Sequence, residues 1–191
     1  MRKVILNVAV SLDGFIEGPN GEYDWCFTDQ DYGMTELFGH VDTMFIGRKS
    51  WELIAGHEAE YFPAIQKIYL FSDTVGSVDS PAIEVVRSAE FDTKVKQILE
   101  EEGQDIWLFG GSGLTTTFVN KGLVSNLTLS VHPLILGGGK PLFNDIKDKV
   151  ELLLTETQSY ETGLVQLKYA LKPQFDESKL DVLFTASGLD I

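Results

Sequence analysis

Apolar residues along the chain gather into short, nearly continuous runs. Runs rich in Val, Ile, Leu and Phe occur at Val4 to Val10, Thr43 to Ile46, Ile68 to Phe71, Ile83 to Val86 and Ile106 to Phe109; their length and composition predict strands. Helical spacing appears between several of them, at Thr35 to Val41, Lys49 to Ile54, Thr93 to Glu101 and Leu114 to Lys121. Strand alternating with helix implies parallel strands joined by crossovers. Ile106-Trp107-Leu108-Phe109 is apolar at every position, as expected of a strand covered on both faces. Beyond residue 122 the character changes: Leu123 to Val131, Val150 to Thr157 and Leu164 to Leu171 follow one another with no helical segment between them. Ser159-Tyr160-Glu161-Thr162-Gly163 reads as a hairpin turn joining the last two. The expected fold is α/β with a mixed sheet, parallel first and ending in an antiparallel hairpin. One domain over 1–172 is followed by a tail, 173–191, whose apolar Val182-Leu183-Phe184 has no assigned place.

Composition narrows the function. The 191 residues are 43% hydrophobic, enough for one sizeable core. Fifteen Lys and Arg against twenty-nine Asp and Glu give a net charge of −14, the wrong sign for a nucleic-acid backbone or an anionic membrane. The single cysteine, Cys26, cannot form an intrachain disulfide, so a cytoplasmic location is expected. Asn7 and Asp13 interrupt any signal-peptide pattern near the start, and no apolar stretch approaches the ~20 residues of a membrane span.

Several chemistries are excluded by spacing. The three histidines, at 40, 57 and 132, are scattered, and His57-Glu58-Ala59-Glu60-Tyr61 lacks the second histidine of a zinc-protease helix. No protein-bound metal is expected. Gly110-Gly111-Ser112-Gly113 resembles a hydrolase elbow, but Leu114 stands where glycine is required. In Gly47-Arg48-Lys49-Ser50, Arg48 intrudes between glycine and lysine, so it is not a Walker loop. Neither cluster satisfies the Rossmann fingerprint.

Both clusters nevertheless sit where a strand gives way to a helix. Arg48 and Lys49 are the only Lys or Arg between Lys3 and Lys67, against eleven acidic residues from Asp13 to Glu60. There the helix dipole, free backbone N–H groups and two cations converge on a seat for phosphate. At the second turn, Gly110 to Gly113, three glycines allow a ligand close to the backbone. The plainer reading is that these glycines only shape tight turns, while Arg48 pairs with Glu52 at helical spacing. Two such turns in one small domain favour a dinucleotide.

Ala9-Val10-Ser11-Leu12-Asp13-Gly14-Phe15-Ile16, Gly47-Arg48-Lys49-Ser50-Trp51-Glu52 and Phe109-Gly110-Gly111-Ser112-Gly113-Leu114, in this order, resemble the successive motifs of the dihydrofolate reductase superfamily. Leu134-Ile135-Leu136-Gly137-Gly138-Gly139 followed by Pro141-Leu142-Phe143 is closer to the reductase domain of the bacterial riboflavin deaminase-reductase and its stand-alone relatives. The resemblance spans residues 3 to 171. It implies a three-layer, dihydrofolate-reductase-like fold with about eight strands and NADPH along the carboxyl edge of the sheet. It also implies a homodimer. Ala9 would face the nicotinamide, Gly47, Arg48, Lys49 and Ser50 the phosphates, and Gly110, Gly111, Ser112, Gly113 and Leu114 the pyrophosphate. Arg48 or Lys49, with Ser72, would take the 2′-phosphate. A 2′-phosphate needs a cation, and this region offers only that pair and Lys67, so NADPH is expected over NADH.

On the substrate side the resemblance points to Asp31 as the carboxylate that holds a pterin-like ring, with Asp24 and Asp29 as competitors. Thr28-Asp29-Gln30-Asp31 also has capping-box spacing, which would make Asp31 a helix cap. Asp13 belongs to a loop over the nicotinamide or shapes the turn after the first strand. Trp25 and Phe27 stack on a flat heterocycle or belong to the core. Gln66 stands where folate reductases carry the arginine for the glutamate tail. No cation lies between Asp13 and Asp42 to receive a ribose phosphate. The expected activity is NADPH-dependent reduction of a pyrimidine- or pterin-like heterocycle, resembling 5-amino-6-(5-phosphoribosylamino)uracil reductase of riboflavin biosynthesis. The alternatives are dihydrofolate reduction and NADPH binding without catalysis.

Overall fold

The strands are β1 (Val4–Ser11), β2 (Phe15–Glu17), β3 (Val41–Gly47), β4 (Lys67–Phe71), β5 (Ile83–Val86), β6 (Asp105–Gly110), β7 (Asn126–His132), β8 (Lys140–Pro141), β9 (Leu152–Ser159) and β10 (Val165–Leu171), and all but β2 and β8 fall on the apolar runs. The helices are α1 (Met34–Phe38), α2 (Arg48–Ile54), α3 (Glu58–Tyr61), α4 (Phe91–Glu100) and α5 (Ser112–Asn120). This computed structural model describes residues 1–171, so the tail 173–191 with Val182-Leu183-Phe184 lies outside the described residues.

Eight strands form one sheet in the order β5-β4-β3-β6-β1-β7-β10-β9, and β2 pairs with β8 in a separate ribbon. The pairs from β5 through to β7 are parallel, while β10 runs antiparallel to both β7 and β9. The expected mixed sheet is present, with its reversal confined to β10. The hairpin turn also forms, closed by Tyr160 N–H to the Leu164 carbonyl at 2.9 Å.

Successive strand residues point to opposite faces, which splits the core in two. Leu6, Phe45, Tyr69 and Leu108 face α4 and α5; Met44, Ile46, Leu70 and Trp107 face α1 and α2. On the first face Phe118 of α5 has no exposed surface and meets the rings of Phe45, Phe71 and Phe91 at centroid distances of 5.3, 5.7 and 5.2 Å. Burying a ring of that size contributes about 1.5–3 kcal/mol, and it fixes the helix whose first turn follows β6. On the second face Trp51 and Ile54 seat α2 beneath the turn that follows β3.

Two local expectations change. The helical spacing at Thr35 to Val41 yields only α1, because Gly39 ends the helix and Val41 opens β3 opposite Asp105. The segments β2, α3 and β8 give no periodic signal; they are two to four residues long and hold through tertiary contacts. Among the described residues no helix is long and apolar enough to cross a membrane.

Candidate active site

β3 and β6 are neighbours in the sheet, but the helices that follow them pack on opposite faces. A crevice therefore opens at their carboxyl ends, the switch point where open α/β sheets take ligands. Both glycine turns border it. They touch: a side chain at Gly47 would stand 3.4 Å from the Gly110 carbonyl oxygen.

Two cavities meet here. The outer one, about 730 Å³, brings together Gly47, Arg48, Lys49 and Ser72 with Gly111 to Leu114. The first intrahelical bond of α5 runs from Thr115 N–H to the Gly111 carbonyl at 2.9 Å, so the N–H groups of Ser112 to Leu114 have no acceptor within the helix. Lys49 makes no ion pair among the described residues, whereas Arg48 Nη1 donates to Glu52 Oε1 at 2.9 Å. Both cations are exposed. Ser72 Oγ accepts the N–H groups of Thr74 and Val75 at 3.2 and 3.0 Å, shaping the turn after β4. Two acids share this cleft: Asp92 is paired with Lys121, and Asp73 is held below the ordinary carboxylate range by the Ser88 hydroxyl and N–H.

The inner cavity, about 810 Å³, lies between α2, α3 and the 23–34 segment. Ala9 of β1 and Trp107 and Phe109 of β6 line it, with Phe27, Tyr61 and Phe62 among its walls. Ser50 and Gly110 reach it as well, and Gly111 and Lys140 line both cavities, which are therefore continuous. Gly47, Gly110 to Leu114, Arg48, Lys49, Ser50, Ser72 and Ala9 thus lie along one crevice.

The substrate-side residues divide. Phe27 lines the inner cavity and packs against His132 at a centroid distance of 4.9 Å. Trp25 instead lies edge-on to His132 at 5.2 Å and is absent from the lining. Asp31 is exposed and outside the cavity; its Oδ1 accepts Met34 N–H at 2.7 Å and Thr35 N–H at 3.2 Å. It caps α1 from a position before the helix, not within it as the capping-box spacing suggests. Thr35, with its hydroxyl and N–H, and the Met34 N–H hold its carboxyl below the ordinary range. Asp29 accepts the Tyr32 hydroxyl at 2.7 Å. Asp13 accepts the Ser11 hydroxyl at 2.7 Å and the N–H groups of Gly137 and Leu136 at 2.8 and 3.1 Å, which lowers its pKa and ties the 134–139 loop to the end of β1. That geometry matches the turn-shaping reading of Asp13.

His132, 2% exposed, accepts the Phe27 N–H through Nε2 at 3.1 Å and faces the Ser130 carbonyl through Nδ1 at 3.0 Å. Nδ1 must carry the proton, and burial lowers the pKa, so the ring is neutral. Burial, reinforced by Asp24, pushes the Cys26 thiol up to about 11, leaving it unreactive. Gln66 precedes β4, at the amino end of the strand and so at the opposite end from the crevice. Its neighbour Lys67 donates to the Pro81 carbonyl at 3.1 Å.

Glu17 and Lys140 enter the site without a signal in the sequence. Lys140 Nζ stands 3.2 Å from Glu17 Oε1 across the β2–β8 ribbon. Gly139 makes the approach possible: with φ +127°, a side chain there would lie 2.1 Å from the Glu17 carbonyl oxygen. Among the described residues Glu17 is the one carboxylate lining the inner cavity. No three described His, Cys, Asp or Glu side chains are placed to hold a metal ion.

Comparison with known proteins gives a consistent picture. The RibD C-terminal domain family matches residues 64–166, just over half of the chain. YyaP of Bacillus subtilis (strain 168), an uncharacterized protein, is 41% identical over 179 residues, covering 88% of this chain and 94% of its own. A structure from Shewanella sp. PV-4, named for riboflavin biosynthesis, superposes with a TM-score of 0.73 at 21% identity, covering 90% of this chain and 99% of that one. A diaminohydroxyphosphoribosylaminopyrimidine deaminase/5-amino-6-(5-phosphoribosylamino)uracil reductase from Thermotoga maritima gives a TM-score of 0.68 at 13% identity. The match covers 89% of this chain and 56% of that longer one. At these identities the structures establish the shared fold.

Proposed function

Because the chain belongs to the RibD C-terminal domain family, we propose that it is an NADPH-dependent reductase of a pyrimidine- or pterin-like heterocycle, of the kind reduced by 5-amino-6-(5-phosphoribosylamino)uracil reductase. The observation that carries this reading is the single crevice that joins a polar, glycine-walled cleft to an aromatic cavity at the end of β1.

The residues fit the cofactor. A dinucleotide needs backbone close to its pyrophosphate, and the contact of Gly47 with Gly110 and the free N–H groups of α5 supply it. Lys49 and Arg48 answer a 2′-phosphate, with Glu52 giving up Arg48 to the stronger anion. Ser72 flanks the same end of the cleft. NADPH supplies the hydride when bound. The protein's part is to hold the reacting rings together over Ala9, walled by Phe27, Phe62 and Phe109, and to keep water out of an apolar chamber. A homodimer belongs to the same proposal and rests on the resemblance alone.

Calorimetric titration with NADPH and with NADH, followed by NADPH oxidation assays with aminouracil ribosides and with dihydrofolate, tests the reading. Tight NADPH binding and turnover of one of these rings is expected. Binding without oxidation of any heterocycle would leave a nucleotide-binding protein, and no binding of either dinucleotide would make both glycine turns structural.

A further inference from the structure

Resting on the reductase reading, we infer that the ring compound admitted to the inner cavity is an uncharged, flat heterocycle that carries no phosphate or carboxylate group. A phosphate ester needs a cation or a cluster of free donors where its ring is bound. Among the described residues the only Lys or Arg on the lining is Lys140. Its charge is balanced by Glu17 at 3.2 Å, and it stands where the cavity opens into the cofactor cleft. The other basic side chain, His132, has both ring nitrogens engaged and is neutral.

The surroundings repel anions. Asp24, Asp29 and Asp31 are exposed on the segment that supplies the lining residues Tyr23, Phe27 and Gln30, and exposed Glu60 adjoins the lining residue Tyr61. Each of these carboxylates is next in sequence to a lining residue, in a protein of net charge −14, so an anion approaching the cavity meets like charge. What the walls do offer suits a neutral ring. Phe62 and Phe109 pack edge-on to Trp107 at 5.2 and 5.0 Å, presenting aromatic surface. Asn7 and Thr28 provide uncharged donors and acceptors for keto and amino edges. A dianion placed there would lose its hydration with no partner.

The test is calorimetric titration of the full chain saturated with NADP⁺, using 5-amino-6-(5-phosphoribosylamino)uracil and its phosphatase-treated counterpart as paired ligands. The phosphate-free compound is expected to bind at least ~10-fold more tightly, with the gap narrowing at high salt as the surrounding carboxylates are screened. Gln30→Lys, at an exposed lining position, is expected to recover affinity for the phosphate ester and to change the neutral compound little. Equal or tighter binding of the phosphate ester overturns the inference while leaving the reductase reading intact. Binding of neither compound overturns it too, and so does a Gln30→Lys variant that leaves the ratio unchanged. Failure of NADP⁺ itself to bind would count against the reductase reading; the same pair titrated into the free protein still ranks the two ligands.

Discussion

A β-carbon added at Gly111 would stand 3.2 Å from the Ser50 hydroxyl oxygen, so the turn after β6 and the first turn of α2 leave slightly too little room between them for a methyl group. Gly111 also holds φ +85° and ψ 128°, a conformation that side chains rarely adopt. Gly111→Ala is therefore expected to lower stability by about 1–3 kcal/mol, read as a fall in Tm. It should also weaken NADPH by at least ~10-fold, because the crevice wall shifts where the pyrophosphate would lie. Unchanged NADPH affinity in the folded variant would remove this turn from the binding site.

The sheet and both glycine turns were legible because they rest on local pattern: apolar runs of strand length, and glycines placed where strands end. Their meeting was not. Gly47 and Gly110 lie 63 positions apart and touch only because β6 inserts between β3 and β1 in the strand order. Lys140 was hidden for the same reason. Gly137-Gly138-Gly139 stands out in the sequence, but nothing in the spacing says that the lysine after it crosses to Glu17. Asp31 shows the opposite limit: a carboxylate near a helix start serves equally as a ligand or as a cap, and only the Met34 and Thr35 N–H distances separate the two.

Arg48 and Glu52 form an exposed pair at 2.9 Å, which contributes about 0.2–1 kcal/mol to stability. Arg48→Ala should leave Tm nearly unchanged. If its guanidinium moves from Glu52 to the 2′-phosphate, the variant loses a charge-assisted bond of about 1.5–3 kcal/mol, a 10- to 100-fold weaker Kd for NADPH with little change for NADH. Parallel calorimetric titrations read the difference, and equal losses for both dinucleotides would refute the 2′-phosphate role.

Asp31→Ala removes the acceptor for two α1 N–H groups, and about 1 kcal/mol of stability should go with it. Because the carboxyl's pKa is lowered in the fold, its contribution is present above the ordinary carboxylate range and fades as pH falls through the folded value. Steady-state assays well below the melting temperature should show kcat within about two-fold of the parent, since a cap sits outside the reacting geometry. A loss of several hundred-fold with an intact fold would restore Asp31 to catalysis.

His132 sets a second, opposite-looking dependence that resolves to the same sign. Burial lowers its folded pKa below the ordinary 6.5, so between those two values the unfolded chain binds a proton that the folded chain refuses. Stability is therefore greatest above about 6.5 and falls as the pH drops from there toward the folded pKa. His132→Gln keeps a donor and an acceptor near the Ser130 carbonyl and the Phe27 N–H but cannot take up the proton. Thermal melts from pH 5 to 8 should show a steeper acid-side decline for the parent than for the variant, even if the variant starts less stable. Parallel curves over that range would mean that the imidazole beneath Phe27 accepts its proton without disturbing the cavity wall.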